Sequence, residues 1–158
     1  MNWTIDTLTL ADARRVETLW RARWAHEGRA QADIDAAAQF ASHRLVDFDE
    51  DRRRGRWILL GAAGPDTRLI GYLSAVIVPR LDQLMGFVFL DEIYVLPEAR
   101  RQGVARGLLR VLLDTARRRG VTNVQLALGR EAEALWRFFE NEGFTLGITG
   151  WGVCRLKK

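Results

Sequence analysis

The chain has 158 residues, 48% of them hydrophobic and 28% charged, with a net charge of +4, enough to build one core under a polar surface, and that charge alone reports electrostatics rather than function. No apolar run approaches the roughly 18 residues that span a membrane, and the opening MNWTIDTLTL lacks the basic-then-apolar pattern of a signal peptide. A lone Cys154 with only His26 and His43 excludes an internal disulfide framework and offers no metal-ligand spacing, so the expectation is a cytoplasmic protein forming a single domain over residues 1–158.

Thr4 to Leu8 reads as a short strand, after which Asp12 caps a helix with Val16, Leu19, Trp20 and Trp24 on its apolar face, stopped by Gly28. A second helix starts near Asp33 and turns Ile34, Ala37, Ala38, Ala41 and Leu45 to one side. The charged, non-periodic Asp47 to Gly55 reads as a loop. Three antiparallel strands follow at Arg56 to Ala62, Leu69 to Val78 and Phe87 to Leu96, separated by the Gly64-Pro65-Asp66 turn and a loop beginning at Pro79. A helix then carries Val104, Leu108, Val111, Leu112 and Thr115 on one face and ends at Gly120. Val124 to Leu128, reached by that crossover, is expected to lie parallel to the strand before the helix. A last helix over Ala132 to Glu142 and two strands, Phe144 to Ile148 and Trp151 to Leu156, complete the order β-α-α-β-β-β-α-β-α-β-β. Cys154 falls in the final strand.

The stretch with chemical content is LDEIYVLPEARRQGVARGLLRVLLDTARRRG, residues 90–120. A strand ends at Leu96, Pro97 forces an extended exit, and a short loop enters a helix near Gly103. The first N–H groups of a helix have no intrahelical acceptor, and the helix dipole adds positive charge there, which together make an anion site. Gly103, Ala105 and Gly107 keep side chains small where a phosphate would approach, and Arg100, Arg101 and Arg106 add full charges. The two commoner phosphate loops, Gly-x-x-x-x-Gly-Lys-Ser/Thr and Gly-x-Gly-x-x-Gly, are absent.

Arg100-x-x-Gly103-x-Ala105, between a strand and a helix, resembles the acetyl-CoA signature Arg/Gln-x-x-Gly-x-Gly/Ala of the GNAT (GCN5-related N-acetyltransferase) superfamily. The later FFENEGF, residues 138–144, resembles that family more weakly. The resemblance implies a mixed α/β (α+β) fold with about seven strands and four helices, and an enzyme moving acetyl from acetyl-CoA to an amine. It places the pyrophosphate on Gln102, Gly103, Val104, Ala105, Arg106 and Gly107, beside Arg100 and Arg101. Pantetheine would run between splayed strands at Asp91 to Leu96 and Val124 to Leu128, with Val95 and Leu96 offering backbone groups.

Direct transfer needs a neutral amine, so the site must accept a proton, and the developing oxyanion needs a donor such as the N–H near Val95 or Leu96. Asp91 and Glu92 are adjacent and should point to opposite faces; Glu92 shares its face with Tyr94 and is favoured. Paired acidic residues here resemble polyamine acetyltransferases, a lean toward small cationic amines. Where the family often has a tyrosine as general acid this chain has Phe139, and where it often has an asparagine stands Ala132, which leaves Tyr94 or water as substitutes for protonating the departing thiolate. Trp20, Trp24, Tyr72, Asp82 and the loop Pro79 to Met85 flank the implied acceptor groove, where the tryptophans serve equally as core. The acceptor is a small-molecule amine or a peptide amino terminus; the alternative is a CoA-binding regulatory domain without catalysis. Neither nucleic acid nor membrane is an expected partner; homodimerisation, common in the family, leaves no legible interface. The arginine-rich composition suits a bacterial source.

Overall fold

The computed structural model describes residues 2–81, 83–129 and 132–147, without the side chains of residues 40–45, 48 and 83–85. It contains two compact units, Met1–Ala127 and Leu128–Lys158. The first unit holds a five-stranded sheet in the order β1-β2-β3-β4-β5, built from β1 (Thr4–Thr7), β2 (Trp57–Ala63), β3 (Leu69–Arg80), β4 (Gln83–Val95) and β5 (Val124–Leu126). The first four run antiparallel in sequence, and β5 joins β4 in parallel. The α/β class is as expected, but the sheet has five strands among the described residues rather than about seven. Phe144 to Gly147 is not a strand, and the expected final strands otherwise lie outside the described residues.

Helix α1 (Ala13–His26) buries Val16 and Leu19, and α2 (Gln31–Arg53) buries Ile34 and Ala38. Trp20 of α1 meets Tyr72 of β3 edge-on at 6.2 Å, which fixes α1 over the face that carries Tyr72. Helix α3 (Val104–Arg118) packs on the opposite face. Gly71, beside Tyr72 on that strand, would place a Cβ 2.8 Å from the Tyr94 carbonyl oxygen of β4 and 3.4 Å from Val104 Cγ1 of α3, so a side chain there would clash with β4 before it crowded the helix. Val104, Leu108, Leu109, Leu112 and Ala116 bury the inner face of α3, where Leu109 and Ala116 replace the anticipated Val111 and Thr115. Each buried leucine contributes about 1.5–3 kcal/mol over an exposed one. In the second unit α4 (Glu133–Asn141) ends at Gly143, whose φ is +89°.

Two expectations fail for local reasons. Asp47 to Arg53 continues α2 instead of forming a loop, because opposite charges fall one helical turn apart. Asp49 accepts from Arg52 at 2.8 Å and from Arg53, and Glu50 from Arg54 at 2.5 Å, pairs that support a helix without apolar periodicity. The loop from Pro79 is likewise a tight hairpin, with Arg80 paired to Gln83. Proline, lacking an N–H, is accommodated where the register shifts between Val78 and Arg80. Asp82 lies outside the described residues.

Candidate active site

The loop from β4 to α3 turns through alternating backbone signs. Arg101 has φ +60° and Gly103 φ +81°, while Gln102 between them keeps a negative φ. Such alternation curls successive N–H groups toward one concave side, a geometry that cradles anions. Glycine at the N-cap supplies no capping side chain, and the first bond of α3 runs from Gly107 N–H to Gly103 C=O at 2.9 Å. The amides of Val104 and Ala105 therefore have no acceptor within the helix. Arg100 turns back instead of outward: its Nε donates to the Val95 carbonyl at 3.1 Å. Gln102 Nε2 donates to Glu98 C=O at 3.0 Å, and Trp3 Nε1 to Gln102 C=O at 3.2 Å. Gly107 does not face a phosphate. A Cβ there would lie 2.5 Å from Trp3 Cη2 and 2.9 Å from Ile5 Cδ1, so its smallness serves packing against β1.

Among the described residues, strand β4 has an open edge. Its parallel ladder with β5 covers only Val88, Phe89 and Leu90, opposite Val124, Gln125 and Leu126, while β4 itself continues to Val95. Leu96 N–H donates to Ile70 C=O at 2.9 Å, which takes it out of contention as an oxyanion donor. Antiparallel alternation then turns the Val95 N–H away from β3, toward the unpaired edge. The β5 segment is shorter than the expected Val124 to Leu128, so its ladder with β4 ends at Leu90.

Just past the end of that ladder β4 is bulged. Ser74 pairs with Glu92 and Ala75 with Leu90, leaving Asp91 as the extra residue. Strict alternation is broken there, so the expectation that Asp91 and Glu92 diverge to opposite faces loses its basis. Partial burial raises the Asp91 pKa, the Glu92 charge adds to the rise, and Arg23 opposes it.

Glu92 is the centre of a bonded cluster. Tyr72 OH donates to its Oε2 at 2.7 Å and Arg23 Nη1 to its Oε1 at 2.9 Å. Arg23 also donates to the Tyr72 oxygen and, through Nε, to Glu27 at 2.6 Å. The guanidinium lies 5.9 Å from the Tyr72 ring and 5.6 Å from the Tyr94 ring. Its protonation is reinforced by Tyr72, Glu27 and Glu92 against the opposing, largest effect of burial. Burial, with the neighbouring Glu92, keeps the Tyr72 phenol protonated far above neutrality. Tyr94 differs from Tyr72: among the described residues its buried hydroxyl makes no hydrogen bond of good geometry, and its one polar neighbour is the Arg100 guanidinium. Burial raises its pKa while Arg100 and Arg23 pull it down.

The free amides at the start of α3 suit an anionic ligand, and no metal-binding cluster occurs among the described residues. Residues 15–144 match the profile of the Acetyltransferase (GNAT) family. The chain belongs to this family. It is 31% identical over 111 residues to the aminoglycoside N(6')-acetyltransferase type 1 of Klebsiella aerogenes, across 69% of this chain and 72% of that protein. Two solved structures share the fold. One is the paia N-acetyltransferase of Thermoplasma acidophilum in complex with coenzyme A, with TM-score 0.76, 19% identity and coverage of 95% of this chain and 94% of that one. The other is a ribosomal-protein-alanine N-acetyltransferase from Brucella melitensis, with TM-score 0.74, 24% identity and coverage of 98% and 100%.

Within this GNAT chain, Phe139 is 1% exposed and packs edge-on against Phe138 and Phe144, at 5.0 and 5.3 Å between centroids. It is a packing residue with no proton to give. Arg23 escaped the sequence reading, although its spacing from Val16, Leu19 and Trp20 places it on the inward stripe of α1. A cation on an apolar helical face was the available signal. No helix among the described residues is long and apolar enough to cross a membrane.

Proposed function

We propose that the chain, acting as one catalytic domain over residues 1–158, is an N-acetyltransferase that transfers acetyl directly to a small cationic amine. The observation that carries this reading is the juxtaposition of a glycine-started, uncapped α3 with the open, bulged end of β4. Acetyl-CoA supplies the activated acetyl group when bound and leaves as CoA. Gly103, Val104 and Ala105 hold the pyrophosphate through their N–H groups, with Arg101 and Arg106 nearby; Gln102 shapes the loop and Arg100 ties it to β4. The open edge of β4 receives the pantetheine, and Val95 N–H stabilises the developing oxyanion.

Asp91 takes the proton from the acceptor ammonium. Its raised pKa brings it closer to the operating range of a general base than an ordinary aspartate. Glu92, both oxygens engaged, holds Tyr72 and Arg23 in place. As the amine nitrogen bonds to the acetyl carbon and the carbon–sulfur bond breaks, Tyr94 donates its hydroxyl proton to the sulfur and recovers one from the acetylated nitrogen. Glu27 pairs with Arg29 as well as Arg23, and Glu92 with Arg23, which leaves Asp91, among the described residues, as the carboxylate without an ion-pair partner at the bulge, and it favours a cationic acceptor over an anionic one. The aminoglycoside acetyltransferase relative supports the same class, and a peptide amino terminus is the second acceptor to try.

Calorimetric titration with acetyl-CoA, comparing the wild type with Gly103→Glu, tests the cofactor site. Binding by the wild type and loss in the variant is the expected result, and no binding by the wild type would end the proposal. Turnover with aminoglycoside and polyamine panels then tests the acceptor class. Tight acetyl-CoA binding without turnover of any amine would favour a regulatory CoA-binding domain.

A further inference from the structure

We infer that Trp3 is a positioning residue for the cofactor loop: its indole fixes the peptide plane between Gln102 and Gly103 and so aims the Gly103 N–H at the pyrophosphate. The inference rests on the reading that residues 102–105 bind that group. Trp3 directly precedes β1, whose Thr4 pairs with Ala63 of β2, so its backbone is tied to the sheet. From there the side chain reaches both ends of the first turn of α3. Nε1 donates to Gln102 C=O at 3.2 Å, and ring atoms Cη2 and Cζ3 lie 2.5 and 2.9 Å from where a Cβ on Gly107 would be.

In a trans peptide the C=O and N–H point in opposite directions. Holding the Gln102 oxygen on the Trp3 side therefore sends the Gly103 hydrogen to the other side. A hold is needed, because Gly103 follows that bond with φ +81° and glycine offers little torsional resistance of its own. Gly107 completes the device: its missing side chain makes the space in which the indole rests. The bond spans 99 positions in sequence, so the start of the chain contributes to a site formed in its second half.

The test is calorimetric binding of CoA to the wild type, Trp3→Phe, Trp3→Ala, Gly107→Ala and the Trp3→Ala/Gly107→Ala double variant, with melting temperatures and steady-state kinetics. Trp3→Phe keeps an aromatic ring and removes the indole donor, so Kd for CoA and KM for acetyl-CoA should rise about three- to tenfold, the usual range for one neutral hydrogen bond. The KM for the amine and kcat at saturating acetyl-CoA should stay unchanged. Gly107→Ala should weaken CoA binding in the wild-type background and weaken it less once Trp3 is alanine, when only the flexible end of Ile5 remains in the way. A Trp3→Phe protein that binds CoA as the wild type does, whatever its melting temperature, overturns the inference and leaves Trp3 a packing residue. Full additivity of Trp3→Ala and Gly107→Ala would overturn it as well. Failure of the wild type to bind CoA would instead remove the cofactor-site reading beneath it.

Discussion

Tyr94→Phe and Tyr72→Phe delete the same atom from neighbouring positions on β4 and β3, and the structure assigns them opposite consequences. The Tyr72 hydroxyl donates to Glu92 and accepts from Arg23 within a cluster where the phenol is 1% exposed. Its removal strands a carboxylate oxygen and a guanidinium donor, and charged hydrogen bonds of this type are worth about 1.5–3 kcal/mol. The Tyr94 hydroxyl makes no hydrogen bond of good geometry among the described residues and has only the Arg100 guanidinium near it, so Tyr94→Phe should cost far less stability than Tyr72→Phe. Activity should move the other way. If Tyr94 protonates the sulfur, kcat should fall by about 10²–10⁴ in Tyr94→Phe, the usual contribution of a positioned acid. Urea unfolding gives the first quantity, and CoA release, followed by thiol reaction at saturating acetyl-CoA, gives the second. A Tyr94→Phe enzyme within threefold of wild-type kcat would refute the assignment of the acid. A loss of stability matching that of Tyr72→Phe would refute the reading of its hydroxyl as weakly partnered.

Asp91→Asn should abolish most of kcat/KM, and the acidic limb of the wild-type pH profile should lie above the ordinary aspartate value of about 3.9, since burial and Glu92 both raise this pKa; a limb at or below that value would remove Asp91 as the base. Asp49 has a lowered pKa through hydrogen bonds from Arg52 and Arg53. A depressed carboxylate stabilises the fold above its unfolded pKa and loses that contribution as pH falls through the folded value. Asp49→Asn should therefore melt at a lower temperature at pH 7, with the gap closing below about pH 4; a constant gap across that window would contradict it. Glu92→Gln should keep CoA affinity unchanged while raising the acceptor KM, because it unbalances Arg23 without touching α3; weakened CoA binding measured by calorimetry would count against separate subsites.

Much of this arrangement was legible before any coordinates. The strand, proline exit, glycine and amphipathic helix of residues 90–120 encode a local junction, and local junctions are what spacing reports. The helical Asp47 to Arg53 was not legible from apolar periodicity, because its support is charge pairing one turn apart. The Asp91 bulge was hidden for another reason. It is a mismatch between β4 and β3, and nothing within LDEIYV alone records how its partner strand is counted. Arg23 and Trp3 were missed because their partners are 69 and 99 positions away. The role expected of Gly107 was misjudged for the same reason, since only the fold brings Trp3 over it.

The bond from Arg100 to the Val95 carbonyl turns the chain between them into a ruler. One end carries the amides proposed to grip the phosphates, and the other carries the amide proposed to meet the acyl oxygen. Because the guanidinium shuts the loop upon itself, the spacing between those two grips is set by the protein before any cofactor arrives. A thioester on an arm of the right reach is then gauged along its whole length, and a shortened or lengthened arm registers as a misfit at the reacting carbon even when its phosphates are held perfectly well.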